Sequence, residues 1–255
     1  MRTTPMSLQT HWETIDVLTE LYVLLDTLAA IPPNLLRLPP ADTGTHPPDL
    51  FNAEAAGGAG FSSEAVKVLS ALPYLNDIVV IAPSTVTMNY SGQNMDVSLF
   101  EDSREMMYDG NLTPPSAIQL TGSEGGYGCI YVFDTESQNV FPWTPMYDGV
   151  STADDEDNDS DELDYLHVEP KSPREALQPL IDKFRELRFI NLPLCEDTNH
   201  LVFEESLDVG VSVNPTEDEV RHFVRTGHFR REEFLERRRR HLANAKSLTA
   251  EYLEG

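Results

Sequence analysis

Between Tyr127 and Trp143 the chain spells out two arms around a polar turn. Tyr127, Cys129, Tyr131 and Phe133 alternate with Gly128, Ile130, Val132 and Asp134. The turn formers Asp134 to Asn139 follow, and Val140-Phe-Pro-Trp143 returns. Period-two alternation around a cluster of turn residues predicts a β-hairpin. Both residue sets of the first arm are apolar, so this arm is expected in mid-sheet, covered on both sides. Pro142 has no N–H to give a ladder, which places the end of the second arm at an edge or just outside the sheet. Such a hairpin needs apolar partners above and below it.

In residues 11–31, Ile15, Leu18, Leu21, Tyr22, Leu25 and Leu28 recur at helical spacing, and Pro32-Pro33 stops the run. Residues 32–50 are proline-rich and predict an extended surface path. Gly57, Gly58 and Gly60 predict a flexible joint. At Phe61-Ser62-Ser63-Glu64 a serine cap behind an apolar residue opens a second helix, with Val66, Leu69 and Leu72 inward, closed by Leu72-Pro73. A third helix spans about Ser172 to Arg188. Pro173 lies in its first turn, its apolar stripe runs from Ala176 to Leu187, and Pro179 is expected to bend it or delay its start. Residues 77–82 predict a buried strand, with weaker candidates at 84–90, 96–100, 116–121 and 201–203.

Charge divides the chain. There are 43 acidic against 18 basic residues, a net charge of -25. That balance repels nucleic-acid backbones and anionic membranes unless the basic residues are segregated. Eight acids between Asp154 and Asp164 have no basic residue among them, so 151–169 reads as an acidic, disordered loop. From Arg221 to Lys246, by contrast, nine basic residues face three acids, and Arg237 to Arg240 are consecutive. Thr216 is placed to cap a short acidic-started helix, and a second helix is expected from about Arg231. The expected organisation is an α+β domain over 1–205 and a basic helical extension over 206–255.

No run of about 18 uncharged apolar residues is present, and the N-terminal apolar stretch carries Glu13, Asp16, Glu20 and Asp26, unlike a secretory signal. Cys129 and Cys195 alone make no disulfide framework. These features predict a cytoplasmic or nuclear protein. In that setting the sequons at Asn89, Asn111 and Asn158 have no role.

Catalytic and metal signatures fail on inspection. Asp155, Asp157 and Asp159 match three calcium-loop positions, but Ser160 replaces the required glycine and Leu166 the required glutamate. The glycines of 121–128 precede a strand and lack a P-loop ending. His222 and His228 have no partner at ligand spacing. Cys129 sits in an apolar arm, where a thiol is inert. Asp134 and Glu136 read as turn chemistry before they read as a glycosidase pair. No cofactor or metal is expected.

Residues 60–75, from Gly60-Phe-Ser-Ser-Glu to Leu72-Pro-Tyr-Leu75, resemble the opening helix and Leu-Pro turn of the SUKH superfamily. That superfamily includes bacterial immunity proteins and a fungal cell-wall-synthesis regulator. Residues 126–143 resemble its central hairpin, and Pro173 to Leu187 matches its closing helix in place. The resemblance covers about residues 60–190. It implies an α+β fold, with a central, mostly antiparallel sheet and helices packed on one face, and non-enzymatic protein binding.

The leading expectation is therefore an intracellular interaction or regulatory module with a protein partner, reached through Tyr131, Asp134 and Trp143 on the hairpin and Arg237, Arg238, Arg239 and Arg240 on the tail. The alternatives are a ribonucleoprotein or acidic-partner binder acting through those arginines, and an enzyme with Tyr131, Asp134, Glu136 and Trp143 around a site at the hairpin. Nucleic acid is expected only through the basic helix, and a membrane is not expected.

Overall fold

Local capping and apolar spacing set most of the helices. In this computed structural model the described residues are 6–28, 30–92, 94–105, 112–145, 164–195, 198–203, 217–230, 232–234 and 236. A 3-10 turn at Met6–His11 leads into α1 (Trp12–Thr27), which buries Ile15, Leu18, Leu21, Tyr22 and Leu25 as its spacing requires. A short strand, β1 (Leu36–Arg37), precedes α2 (Ala53–Gly58) and α3 (Ser63–Ala71). The Ser62 hydroxyl accepts the Ala65 N–H at 3.1 Å and so starts α3. Next come β2 (Tyr74–Leu75), β3 (Val80–Ala82), β4 (Thr85–Thr87) and α4 (Val97–Asp102). β5 (Ala117–Gln119), β6 (Thr121–Ser123), β7 (Ile130–Asp134) and β8 (Asn139–Trp143) complete the hairpin region. A 3-10 turn at Asp164–His167 and α5 (Pro173–Arg185) follow, then β9 (Phe189–Cys195), β10 (Thr198–Phe203) and α6 (Glu217–Thr226).

Three sequence expectations change. Gly57 and Gly58 belong to α2 instead of a joint. The Asn52 side chain caps the Ala55 N–H, and burial of Ala55, Ala56 and Ala59 outweighs the poor helix propensity of glycine. Residues 97–102 form a helix where a strand was expected, because Asp96 accepts the Leu99 N–H at 3.1 Å and Phe100 is buried. The 189–203 region holds two paired strands in place of one. Of the acidic loop expected over 151–169, residues 151–163 lie outside the described residues, as does most of the second C-terminal helix, while Asp164–His167 form an ordered 3-10 turn because Tyr165 is buried against the hairpin.

Every ladder among the described residues is antiparallel. The ladders β3–β4–β6 and β5–β7–β8 share one stretch of chain, 117–123, interrupted only at Leu120. The Leu120 N–H donates to the Tyr131 carbonyl at 2.8 Å. The Thr121 hydroxyl then accepts the Tyr131 N–H and donates to the Cys129 carbonyl, both at 2.9 Å. A central antiparallel sheet results, and the protein is α+β.

β7 lies between β5 and β8, where its two apolar faces are both used. Ile118, Phe133 and Val140 face one way, into the core shared with α1, α3 and α5. Ala117, Ile130, Val132, Phe141 and Trp143 face the other way and pack with Tyr165. Backbone hydrogen bonds in both directions between Val140 and Lys171, at 2.8 and 2.9 Å, tie the entry of α5 to β8. A Ser172–Glu175 capping box then starts α5 at Pro173, and the helix runs through exposed Pro179 to Arg185. The Glu20 carboxylate on α1 holds Arg174, at 3.0 Å, and Arg185, both from α5. Phe223 of α6 is part of the main core and Phe229 packs against it, so the C-terminal region begins as part of the same packing unit.

Two glycine substitutions should separate opposite effects. A Cβ on Gly128 would fall 2.0 Å from the Ser84 carbonyl oxygen, so Gly128→Ala forces backbone apart and should cost about 1–3 kcal/mol. A Cβ on Gly57 meets nothing within 4 Å and lies in a helix, so Gly57→Ala should add up to about 1 kcal/mol. Urea unfolding midpoints should move down for the first variant and up for the second.

Candidate functional site

The hairpin turn is built by its first residue. One Asp134 carboxylate oxygen accepts the Glu136 N–H at 3.2 Å, and the other accepts the Ser137 N–H at 3.0 Å. Gln138 takes φ 60° to close the turn, with its N–H on the Asp134 carbonyl at 2.8 Å. The Thr135 hydroxyl donates to the Ser116 carbonyl at 2.9 Å and holds the turn to the chain before β5. Burial pushes the Asp134 carboxyl up, but hydrogen bonds from Ser137, Ser116 and the Glu136 N–H together outweigh it and hold the group below the usual carboxylate range. Glu136, Ser137 and Gln138 form the exposed tip.

The structure does not gather Tyr131, Asp134 and Trp143 into one site. With Asp134 opposite Asn139, Tyr131 pairs with Pro142 and Ile130 with Trp143. Successive strand residues point to opposite faces. Tyr131 therefore lies on the helix-covered face, half-buried against the main core, and burial followed by the neighbouring Cys129 thiol pushes its phenol far up. Trp143 lies on the other face at 1% exposure, where a partner reaches none of its ring. Of Tyr131, Asp134 and Trp143, only Asp134 sits at the solvent-facing turn, and its carboxylate is engaged in building that turn. Glu136 stands beside it as an exposed tip residue.

Three buried basic side chains were not singled out by sequence reasoning. His11 Nε2 lies 3.1 Å from Glu64, which also holds Lys67 at 2.8 Å. His46 Nε2 contacts the Leu72 carbonyl at 2.9 Å and its ring packs on Tyr74. Burial pushes its pKa down, and the Leu72 hydrogen bond partly opposes that. Arg104 donates to the Ala59 and Thr113 carbonyls and lies 5.4 Å from the centre of the Phe61 ring. Burial also lowers its pKa. Gly60 makes room for this arginine: with φ +89°, it would place a Cβ 2.4 Å from Arg104 Nη1. That glycine was the only sequence signal for Arg104. Each of the three fastens one segment of chain to another.

Comparison with family models, with curated proteins and with solved structures gives no match for this chain. The residues themselves carry the functional reading. The glycines of 121–128 form a tight turn before β7, with the Gly128 N–H on the Ser123 hydroxyl at 2.8 Å. Among the described residues no group of three His, Cys, Asp or Glu is placed to hold a metal ion, and no helix is long and apolar enough to cross a membrane. The candidate calcium residues Asp155, Asp157 and Asp159 lie outside the described residues, as do Arg237, Arg238, Arg239 and Arg240. The chain that precedes those arginines is described: Phe223 meets Phe229 at 5.9 Å, and Phe229 meets Phe234 at 5.2 Å, centre to centre. Arg221, Arg225 and Arg230 along this stretch are exposed.

The Asp134 turn makes a pH-dependent contribution with a definite sign. A carboxyl held below its unfolded value of about 3.9 stabilises the fold fully above that pH, and the contribution is lost as pH falls through the depressed folded value. Asp134→Asn should therefore lower the urea midpoint at pH 7. The gap from the parent should close as both are titrated below about pH 4.

Proposed function

We propose that this chain is a non-catalytic, SUKH-type protein-binding module of the cytoplasm or nucleus. The observation that carries the reading is how the three SUKH-like segments pack: α3, the β7–β8 hairpin and α5 share one core, and Val140–Lys171 joins the last two. The polar groups of the interior support it too. His11, His46, Arg104 and Asp134 each serve a structural bond, and the hairpin presents a turn tip in place of a cleft. The reading calls on no cofactor or metal.

The test is native isolation of the full chain with chemical cross-linking. The expected result is one protein, cross-linked at defined surface positions, that re-forms a saturable complex when both are purified. Recovery of a small molecule that the chain converts, with no protein attached, would overturn the reading. So would loss of that conversion in a folded Asp134→Asn variant.

A second reading has its own observation. The Phe223–Phe229–Phe234 contacts pack the chain that precedes Arg237 in sequence, which suits capture of an acidic protein or a ribonucleoprotein by the arginines that follow. Truncation after Gly227 is a poor test, because it also removes Phe229 and the buried Phe234. Changing Arg237, Arg238, Arg239 and Arg240 to glutamine leaves those rings in place. On this reading that variant should bind at least tenfold more weakly at low salt, and the salt dependence of binding should flatten. An unchanged binding isotherm would rule it out.

A further inference from the structure

A cleft of about 440 Å³ opens where α1 ends, lined by Asp26, Pro33, Asn34, Leu36 and Leu38. Its chemistry is lopsided. Pro33, Leu36 and Leu38 give apolar walls, and Leu38 is 37% exposed. Asp26 supplies a carboxylate in the last turn of α1, which carries no basic residue. The carbonyl end of a helix is the negative end of its dipole and favours Lys or Arg. An aspartate there adds like charge to like potential, and Asp26 makes no ion pair among the described residues. One lining residue also belongs to a short ladder. Leu36 pairs with Leu75, and the Asn76 N–H reaches the Leu35 carbonyl at 3.0 Å. Asp77 and the 66%-exposed Ile78 follow next in the chain.

We infer that this cleft receives an arginine or lysine side chain from a basic segment of a partner protein, with a flanking apolar residue against Leu36 and Leu38. A long cationic side chain matches both halves of the site, because its methylene stem packs on leucine while its head meets the carboxylate and the helix end. Charge complementarity selects the partner: a chain of net charge -25 draws basic proteins to itself and slows acidic ones. The inference rests on the protein-binding reading and names the partner's chemistry.

The test is fluorescence anisotropy with the full chain. The probe is a labelled Leu-Arg-Leu-Lys-Leu peptide, with a peptide carrying Glu in place of Arg and Lys as control. Asp26→Asn and Leu38→Ser should each weaken the basic peptide about tenfold, while Glu54→Gln, an equal charge change at an exposed position of α2, should leave it within twofold. The glutamate peptide should not bind. Asp26→Asn should also keep or raise the thermal midpoint, which separates lost binding from lost folding. Equal weakening by Asp26→Asn and Glu54→Gln would reduce the effect to net charge and overturn the site. Binding seen only after Arg237 to Arg240 are changed to glutamine would assign the cleft to the chain's own tail and overturn a partner in trans. Either failure leaves the cross-linking test of the protein-binding reading standing.

Discussion

A strand with two apolar faces cannot be left at a surface, and β7 is such a strand. Phe133 must be covered from one side, Ile130 and Val132 from the other. α1, α3 and α5 supply the first cover, and the turn carrying Tyr165 supplies the second. Fully burying a side chain of this size contributes roughly 1.5–3 kcal/mol. The sheet therefore fixes the positions of elements that are remote in sequence. The same constraint uses up the aromatic residues of the hairpin: Trp143 and Phe141 hold the Tyr165 turn down and are not offered to a partner. What the hairpin leaves to solvent is its tip, beside an aspartate already engaged in shaping it.

Much of this was legible in the residues. The hairpin, α1, α3 and α5 carry strong periodicity, and Ser62 and Ser172 mark two helix starts. Two short helices were not legible, because each depends on a single capping side chain and a tertiary contact. Asn52 with buried Ala56 makes α2, and Asp96 with buried Phe100 makes α4. Arg104 was marked only indirectly, by the glycine at position 60 that leaves it room, since a buried arginine bonded to carbonyls looks like any surface arginine. The separation of Tyr131 from Trp143 was within reach: once a four-residue turn sets Asp134 opposite Asn139, strand parity sends the two rings to opposite faces. The cleft could not be read at all, because it is made where the end of α1 and the chain after Pro33 meet.

The site readings share one physical theme. Charge in this protein is segregated. The bulk is acidic, the tail is basic, and at the end of α1 a carboxylate stands where a helix favours a cation. On the proposed binding role, a preformed and rigid site loses little conformational freedom when it takes its partner. The buried polar side chains contribute to that rigidity. His46 and Arg104 each cross from one loop to another and satisfy carbonyls that would otherwise be stranded.

The pairing of α1 with α5 has a consequence for how the protein is made. Glu20 reaches Arg174 across 154 residues of chain. At ribosomal rates of about 5–20 residues per second, the apolar stripe of Ile15, Leu18, Leu21 and Leu25 emerges roughly 10–30 s before the helix that covers it. Throughout that interval the nascent chain carries a greasy helix with no native lid, a standing invitation to chaperones and to neighbouring chains on the same polysome.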